Sequence, residues 1–107
     1  RAFSIPAVTI LNDASNPAAP EGYVLHQNIP NPFSSSTIIQ FEIPAALHVR
    51  VTIQDALGRQ VAVLVNDRRD AGRHNVHFDA RALPSGAYIC RFEAGAVTMQ
   101  QILSIVR

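Results

Sequence analysis

The sequence predicts an all-β protein, an immunoglobulin-like β-sandwich of about seven antiparallel strands. From Tyr23 onward, apolar and polar side chains alternate with a period of two in one segment after another. Residues typical of turns separate these segments, about every 8–12 residues, as in immunoglobulin-like sandwiches. No window of about 12 residues has a helical period, and strict alternation is typical of strands that are buried on one face.

Alternation defines seven predicted strands in chain order. They are residues 23–27, 37–43, 48–55, 60–65, 73–79, 87–93 and 96–106. In the fourth strand, the alternation groups Val61, Val63 and Val65 on one face against Ala62 and Leu64 on the other. In the sixth strand, Tyr88, Cys90 and Phe92 share the apolar face, so we expect Cys90 to be a buried, unreactive thiol.

The connections between these strands have turn chemistry of their own. Residues 56–59 form a short hairpin connection, in which Gly58 is expected to adopt a positive φ. Pro84 precedes Gly86 in the order that β-turns favour, and Gly95 lies in the turn of the last hairpin. Residues 28–32 contain two prolines and cannot donate fully to a ladder, so they are expected to follow an edge or cross between sheets.

Composition excludes several classes of protein. The chain has 107 residues, room for one domain, and 48% of them are hydrophobic while 16% are charged. A net charge of +1 is unlike a nucleic-acid-binding module. A single cysteine excludes an internal disulfide and a cysteine-based zinc site, and no apolar run is long enough to span a membrane. We therefore expect no cofactor, no metal and no membrane insertion.

The first 22 residues differ from the rest and read as an upstream strand followed by a linker. Residues 12–22 are rich in Asn, Ala and Pro, which is typical of a linker. Residues 3–11 are apolar and contain Pro6, so they are interpreted as an edge strand docked on the main body, the last strand of an upstream domain, or more linker. The predicted domain spans residues 23–107, and the chain is expected to be a piece of a longer protein.

No catalytic constellation is present in the sequence. Ser34, Ser35 and Ser36 lack the glycines of a nucleophile elbow, and the four histidines lack metal-ligand spacing. The protein is therefore expected not to be an enzyme. Carbohydrate binding is a weaker alternative that would depend on Tyr23 and Phe33, the aromatic side chains left outside the predicted core.

Several short motifs, in the order in which they occur, resemble those of one protein family. Residues 25–33 read LHQNIPNPF, residues 55–61 read DALGRQV and residues 83–88 read LPSGAY. The matching positions are Gln27, Asn28, Pro30, Asn31, Pro32, Phe33, Asp55 and Gly58. Over about residues 24–107 the chain resembles the type A C-terminal sorting domain of the type IX (Por) secretion system, which is related to flagellar hook-cap immunoglobulin-like domains.

The resemblance implies a non-catalytic domain that directs a larger cargo protein, in the same chain, through the type IX translocon. The expected location is the outer cell surface of a Gram-negative bacterium, reached through the periplasm. A surface sortase is expected to remove the domain or to anchor the cargo. The chain departs from the family at Ile29 and Gln54, where aromatic residues are usual, at Ser34 and Ser35, where Asn-Pro is usual, and near its end, where Gln100 and Gln101 replace the usual lysine.

We predict that the last hairpin, residues 86–107, carries recognition by offering a strand edge and an apolar row. The candidate residues are Pro84, Gly86, Tyr88, Gly95, Ile102, Leu103, Ile105, Val106 and Arg107. In the alternative, this strand only completes the sandwich and the signal is distributed over the surface. A second class of function is an immunoglobulin-like module that is retained for cell attachment.

Overall fold

The computed structural model describes residues 8–11 and 21–107, which form eight β-strands and no helix. The strands are β1 (Val8–Leu11), β2 (Val24–Leu25), β3 (Ser36–Ile43), β4 (Leu47–Gln54), β5 (Gln60–Arg69), β6 (Gly72–Asp79), β7 (Gly86–Ala94) and β8 (Val97–Ile105). No helix able to cross a membrane is found in this part of the chain.

The strands form two sheets that face each other across one core. One sheet has the order β1-β8-β7-β4-β5, and the other has the order β2-β3-β6. All neighbours are antiparallel except β1 and β8, which run parallel. Strands β2 to β8 correspond to the seven predicted strands, and the prediction of an immunoglobulin-like sandwich is confirmed.

The core is built by the inward-facing positions of both sheets. Phe41 of β3 meets Phe92 of β7 with ring centroids 5.0 Å apart, which joins the two sheets at the centre. Ile53 and Leu103 are also fully buried. Burying a large apolar side chain stabilises a fold by roughly 1.5–3 kcal/mol, so alternating side chains are enough to hold such a sandwich without a disulfide.

Strand β5 departs from the predicted alternation. Val65 is buried, but Val61 is 37% exposed and Val63 is 46% exposed. Val51 pairs with Val65 whereas the next residue, Thr52, pairs with Val63, so β5 contains an extra residue at this point. Because a β-bulge of this kind reverses the face on which the following side chains lie, the three valines do not share one face.

Residues 8–11 of the upstream run form a strand on the main body, as one of the three interpretations predicted. β1 adds to the edge of the larger sheet, with Val8 opposite Val97 and Leu11 opposite Gln100. Residues 1–7 and 12–20 lie outside the described residues. The division into residues 1–22 and 23–107 therefore stays a prediction.

The proline-rich segment crosses from one sheet to the other. Ile29 bridges Ile38 of β3 in the smaller sheet, and Phe33 bridges Ile105 of β8 in the larger one. The peptide bonds before Pro30 and Pro32 are cis. Of the two predicted courses, along an edge or between sheets, the structure shows the crossing.

Candidate recognition surface

A buried asparagine stabilises the crossing segment, residues 27–33. The Nδ2 group of Asn28 donates to the carbonyl oxygen of Pro30 and to Oγ1 of Thr37, both at 3.1 Å. The Thr37 hydroxyl donates to the same carbonyl at 2.8 Å, and Nε2 of Gln27 donates to Asn28 Oδ1 at 3.2 Å. Buried polar groups stabilise a fold when they are paired, as these are. Sequence reasoning missed Thr37, because nothing in the pattern distinguishes it from other polar strand residues.

The crossing segment also fastens the end of β8. The Ser104 amide donates to Oδ1 of Asn31 at 3.0 Å. The Phe33 amide donates to the Ser104 carbonyl at 3.0 Å, and the Val106 amide donates to the Phe33 carbonyl at 2.8 Å. Residues 31–33 therefore cover the outer edge of β8 near its end, and we call this contact the terminal clamp.

The side chain of Phe33 anchors the terminal clamp in the core. Phe33 is 3% exposed, and its ring meets that of Phe78 on β6 edge to face, with centroids 6.1 Å apart. Edge-to-face rings attract beyond the effect of their buried area. The expectation that Phe33 is a free aromatic for carbohydrate binding is wrong, because the crossing segment turns its ring inward.

Arg107, two residues after the end of β8, binds the turn that follows β6. Its Nη2 atom donates to the carbonyl oxygens of Ala80 at 2.6 Å and Leu83 at 2.7 Å. The turn itself is closed by the Leu83 amide, which donates to the Ala80 carbonyl at 3.0 Å. A guanidinium that donates to several carbonyl oxygens forms charge-assisted hydrogen bonds, so Arg107 is held by the domain.

An ion pair stands beside the Arg107 contact. Nη2 of Arg81 lies 2.7 Å from Oδ2 of Asp79, and the Arg81 amide donates to Asp79 Oδ1 at 3.0 Å. Hydrogen bonds from the Arg81 side chain and amide lower the pKa of Asp79 to about 2. Sequence reasoning missed this pair, although an acid two residues before an arginine after a strand is a signal that could have indicated it.

The hairpin connection between β4 and β5 is organised by Asp55. Its Oδ1 accepts from the amides of Leu57 and Arg59, both at 2.9 Å, and its Oδ2 accepts from Arg59 Nε at 2.9 Å. The Arg59 amide hydrogen bond is the main cause that lowers the pKa of Asp55. Gly58 has a φ of +83°, as predicted, which L side chains rarely adopt.

A second turn lies next to this hairpin connection. The Tyr88 hydroxyl donates to the Pro84 carbonyl at 2.7 Å and braces the turn before β7. Between the two turns is an open groove of about 280 Å³ that includes Tyr88, Pro84 and Asp55. Leu57, also on this groove, is 77% exposed. The groove thus brings together residues from 55–61 and 83–88, two of the three motifs on which the family resemblance rests.

A family model described as a secretion system C-terminal sorting domain matches residues 28–106. The chain belongs to this family, the type IX sorting domains. The chain is also similar to the solved structure of the sulfur carrier protein SoxY from Chlorobium limicola f thiosulfatophilum, with 9% identity, a TM-score of 0.44, and 92% of this chain and 83% of that chain covered. No curated protein matches the chain.

The sorting domain does not present its last strand as predicted. Leu103 and Ile105 are buried in the core, whereas Ile102 is 50% exposed and Val106 is 55% exposed. β1 covers the outer edge of β8 from Val97 to Gln100, and the terminal clamp covers its end. In the folded domain most of the outer edge of the terminal strand is therefore covered, and its apolar side chains alternate between buried and exposed. Recognition by this hairpin stays a prediction.

The other predicted recognition residues of the sorting domain lie at two ends of the hairpin formed by β7 and β8. Gly86 begins β7 opposite Ile105. Gly95 lies in the turn at the other end, close to Leu47 of β4. The structure therefore brings Pro84, Gly86 and Tyr88 together with the end of β8, but it places Gly95 apart from them.

One core position of β8 is polar. Gln101 is fully buried, and neither its Oε1 nor its Nε2 has a hydrogen-bond partner. Cys90 of β7 lies opposite it in the register. Burial raises the pKa of the Cys90 thiol to about 12, while a weak hydrogen bond with the Gln101 side chain, too poorly formed to satisfy the amide, acts in the opposite direction. Sequence reasoning noted Gln101 as a departure from the family but did not predict that it is buried.

Metal binding has no support in the described residues, and two of the aromatic or histidine side chains there pack within the domain. Within residues 8–11 and 21–107, no group of three or more His, Cys, Asp or Glu side chains could hold a metal ion. The His74 ring stacks on Phe41 with centroids 5.2 Å apart, and its Nε2 lies 2.7 Å from the Asp70 carbonyl oxygen. Tyr23 is half-buried and packs against the core.

Proposed function

We propose that this domain directs a larger secreted cargo protein through the type IX translocon to the outer surface of a Gram-negative bacterium, after the cargo has crossed the periplasm. It would do so without catalysis, as a folded signal that the secretion machinery recognises. The family match over residues 28–106 carries this proposal. The terminal clamp supports it, because the family-like motif at residues 25–33 and the end of β8 form a single structural unit.

The exposed apolar residues at the end of β8 and at the groove beside Tyr88 are the ones that a partner would contact. Ile102 and Val106 are half exposed, and Leu57 stands at the groove near the turn that begins β7. Exposed apolar side chains that lie close together are typical of protein interaction sites. Recognition would therefore depend on these side chains, whereas Leu103 and Ile105 would act indirectly by holding the strand.

A surface sortase would act on the segment before β2. Residues 12–22 have a linker composition, and proteases cleave preferentially in exposed segments with small and polar residues. Cleavage there would release the cargo from the domain, or transfer it to a surface anchor. The alternative is a retained immunoglobulin-like module that attaches the mature protein to the cell.

A secretion assay tests the sorting role. A reporter with a periplasmic export signal is fused before residue 1 and produced in a bacterium with a type IX system. The fusion should reach the surface, whereas the double variant Ile102→Ser, Val106→Ser should not, although its urea unfolding midpoint stays near that of the parent. Arg68→Ala, an exposed change on β5, is the matched control. Normal delivery of the double variant contradicts the assigned surface.

The intact mass of the delivered fusion tests removal. Loss of every residue after a position within 12–22 supports sortase processing. A mature product that retains residues 23–107 supports the retained module and overturns processing.

A further inference from the structure

Two different segments cover the outer edge of β8. β1 pairs with residues 97–100, and the terminal clamp pairs with residues 104–106. The clamp is anchored by the buried Phe33 ring and by the Asn31 side chain. β1 is an edge strand of four residues in parallel register, and the described residues place no strand on its other side.

The pairing of β1 is short enough to exchange. Four residues in a parallel ladder form few hydrogen bonds, and parallel pairs are slightly weaker per residue than antiparallel ones. The net gain of one hydrogen bond is similar in size to the entropy lost when one residue is fixed. A strand held in this way opens readily, whereas the clamp stays closed.

Opening of β1 would uncover an edge with a defined length and chemistry. Its residues are Val97, Thr98, Met99 and Gln100, none of which is charged, and β1 itself reads VTIL. The terminal clamp begins at Ser104 and ends the free edge on that side, so an added strand can pair with residues 97–100 and extend at most three residues further. The half-exposed Ile102 lies just beyond this edge and offers an apolar contact to a longer segment.

We propose that the outer edge of β8 at residues 97–100 is a strand-addition site. In the intact chain β1 fills this site, and during sorting an extended, uncharged segment of the type IX machinery takes the place of β1, parallel to β8. Main-chain hydrogen bonds supply such recognition, and adjoining side chains supply specificity. The identity of the partner rests on the proposed function, but the site itself can be measured on the chain alone.

Hydrogen exchange of the full chain tests whether β1 protects this edge. Neighbouring amides of a strand point to opposite sides, so the double change Thr9→Pro, Ile10→Pro removes at least one donor to β8. We expect the outward-facing amides of residues 97–100 to exchange roughly 10-fold faster or more, while the Val106 amide in the clamp is unchanged. The matched control is Ala18→Pro, Ala19→Pro. Unchanged protection at residues 97–100 overturns the proposal.

A peptide tests whether the uncovered edge accepts a strand. The sequence of residues 3–11, FSIPAVTIL, is added in excess to the double-proline variant. It should restore protection at residues 97–100, and the same peptide with prolines at the positions of Thr9 and Ile10 should not. Absence of binding overturns the strand-addition site. If protection returns without peptide as the variant dimerises, the occupant is a second copy and the assignment to the machinery is overturned.

A cross-link tests the role of exchange in sorting. Thr9 and Thr98 are register partners, so the change Thr9→Cys, Thr98→Cys allows a disulfide that locks β1 on β8. The locked fusion should not be delivered, while the reduced fusion and the single variant Thr9→Cys should be. Delivery of the locked form overturns the proposal. Failure of the unmodified fusion to reach the surface contradicts the proposed function instead, so the two failures are distinguishable.

Discussion

Replacement of the buried Gln101 by methionine should stabilise the domain. Gln101 occupies a core position of β8, between the apolar Met99 and Leu103 of the same face, and both polar atoms of its amide lack a hydrogen-bond partner. Methionine has a similar length and an unbranched, flexible side chain, so it can fill the same space with little strain. The change removes the unpaired amide and keeps the core contacts.

The size of the effect follows from the cost of the unpaired amide. Burial of an amide without a partner costs about 1–3 kcal/mol in proteins. The Cys90 thiol beside it is a weak hydrogen-bonding group and offsets little of this cost. After imperfect repacking, we expect the free energy of unfolding to rise by about 1–2 kcal/mol. For a domain near this size, the melting temperature should rise by roughly 4–8 °C for each kcal/mol.

Urea unfolding and thermal melting measure this change directly. Gln100→Met is the matched control, because Gln100 is only half-buried and faces the other side of the strand, and its effect should stay within about 0.5 kcal/mol. Gln101→Glu should unfold the domain or weaken it severely, because it places a carboxylate in the core. If Gln101→Met lowers stability or leaves it unchanged, the amide is satisfied in solution and the reasoning is wrong.

Three further predictions concern single groups. Tyr88→Phe removes the hydroxyl that donates to Pro84 and should cost about 1 kcal/mol in urea unfolding. The pKa of Asp79 is about 2 in the folded chain, against an ordinary value of 3.8 for an unfolded chain, so this carboxylate stabilises the fold above pH 4 and loses its effect as the pH falls toward 2. In Asp79→Asn, the free energy of unfolding should therefore fall less between pH 4 and pH 2 than in the parent. Cys90, with a pKa of about 12, should react with a thiol reagent only after unfolding.

Each of these predictions has a clear contrary result. An unchanged unfolding midpoint for Tyr88→Phe would show that the hydroxyl bond adds nothing. An acid limb that is the same for Asp79→Asn and for the parent would place the pH dependence on other carboxylates, such as Glu42, whose pKa the His26 hydrogen bond lowers. Fast labelling of Cys90 in the native chain would show that β7 and β8 open together.

The motif at residues 25–33 shows which features a local sequence pattern predicts and which it does not. Two prolines restrict φ and remove donors, so the sequence predicted a segment that follows an edge or crosses between sheets. The partners of that segment at the end of β8 are about 70 residues away, since Asn31 accepts from Ser104, and no local pattern contains this distance. The valines of β5 show the opposite case, because a bulge set by pairing with β4 reversed a face that alternation had predicted.

Local patterns predicted the seven strands and their turns, because alternation, glycine and proline act over a few residues, and short motifs indicated the family. What the last strand offers to a partner depends instead on contacts between distant segments. Whether β8 is an edge strand depends on which segments pair beside it. Those segments are β1 and the terminal clamp, and both are far from β8 in the chain. Local periodicity does not predict which distant segments pair with each other. The sequence therefore predicted a free edge for β8, whereas in the structure β1 and the terminal clamp cover most of that edge.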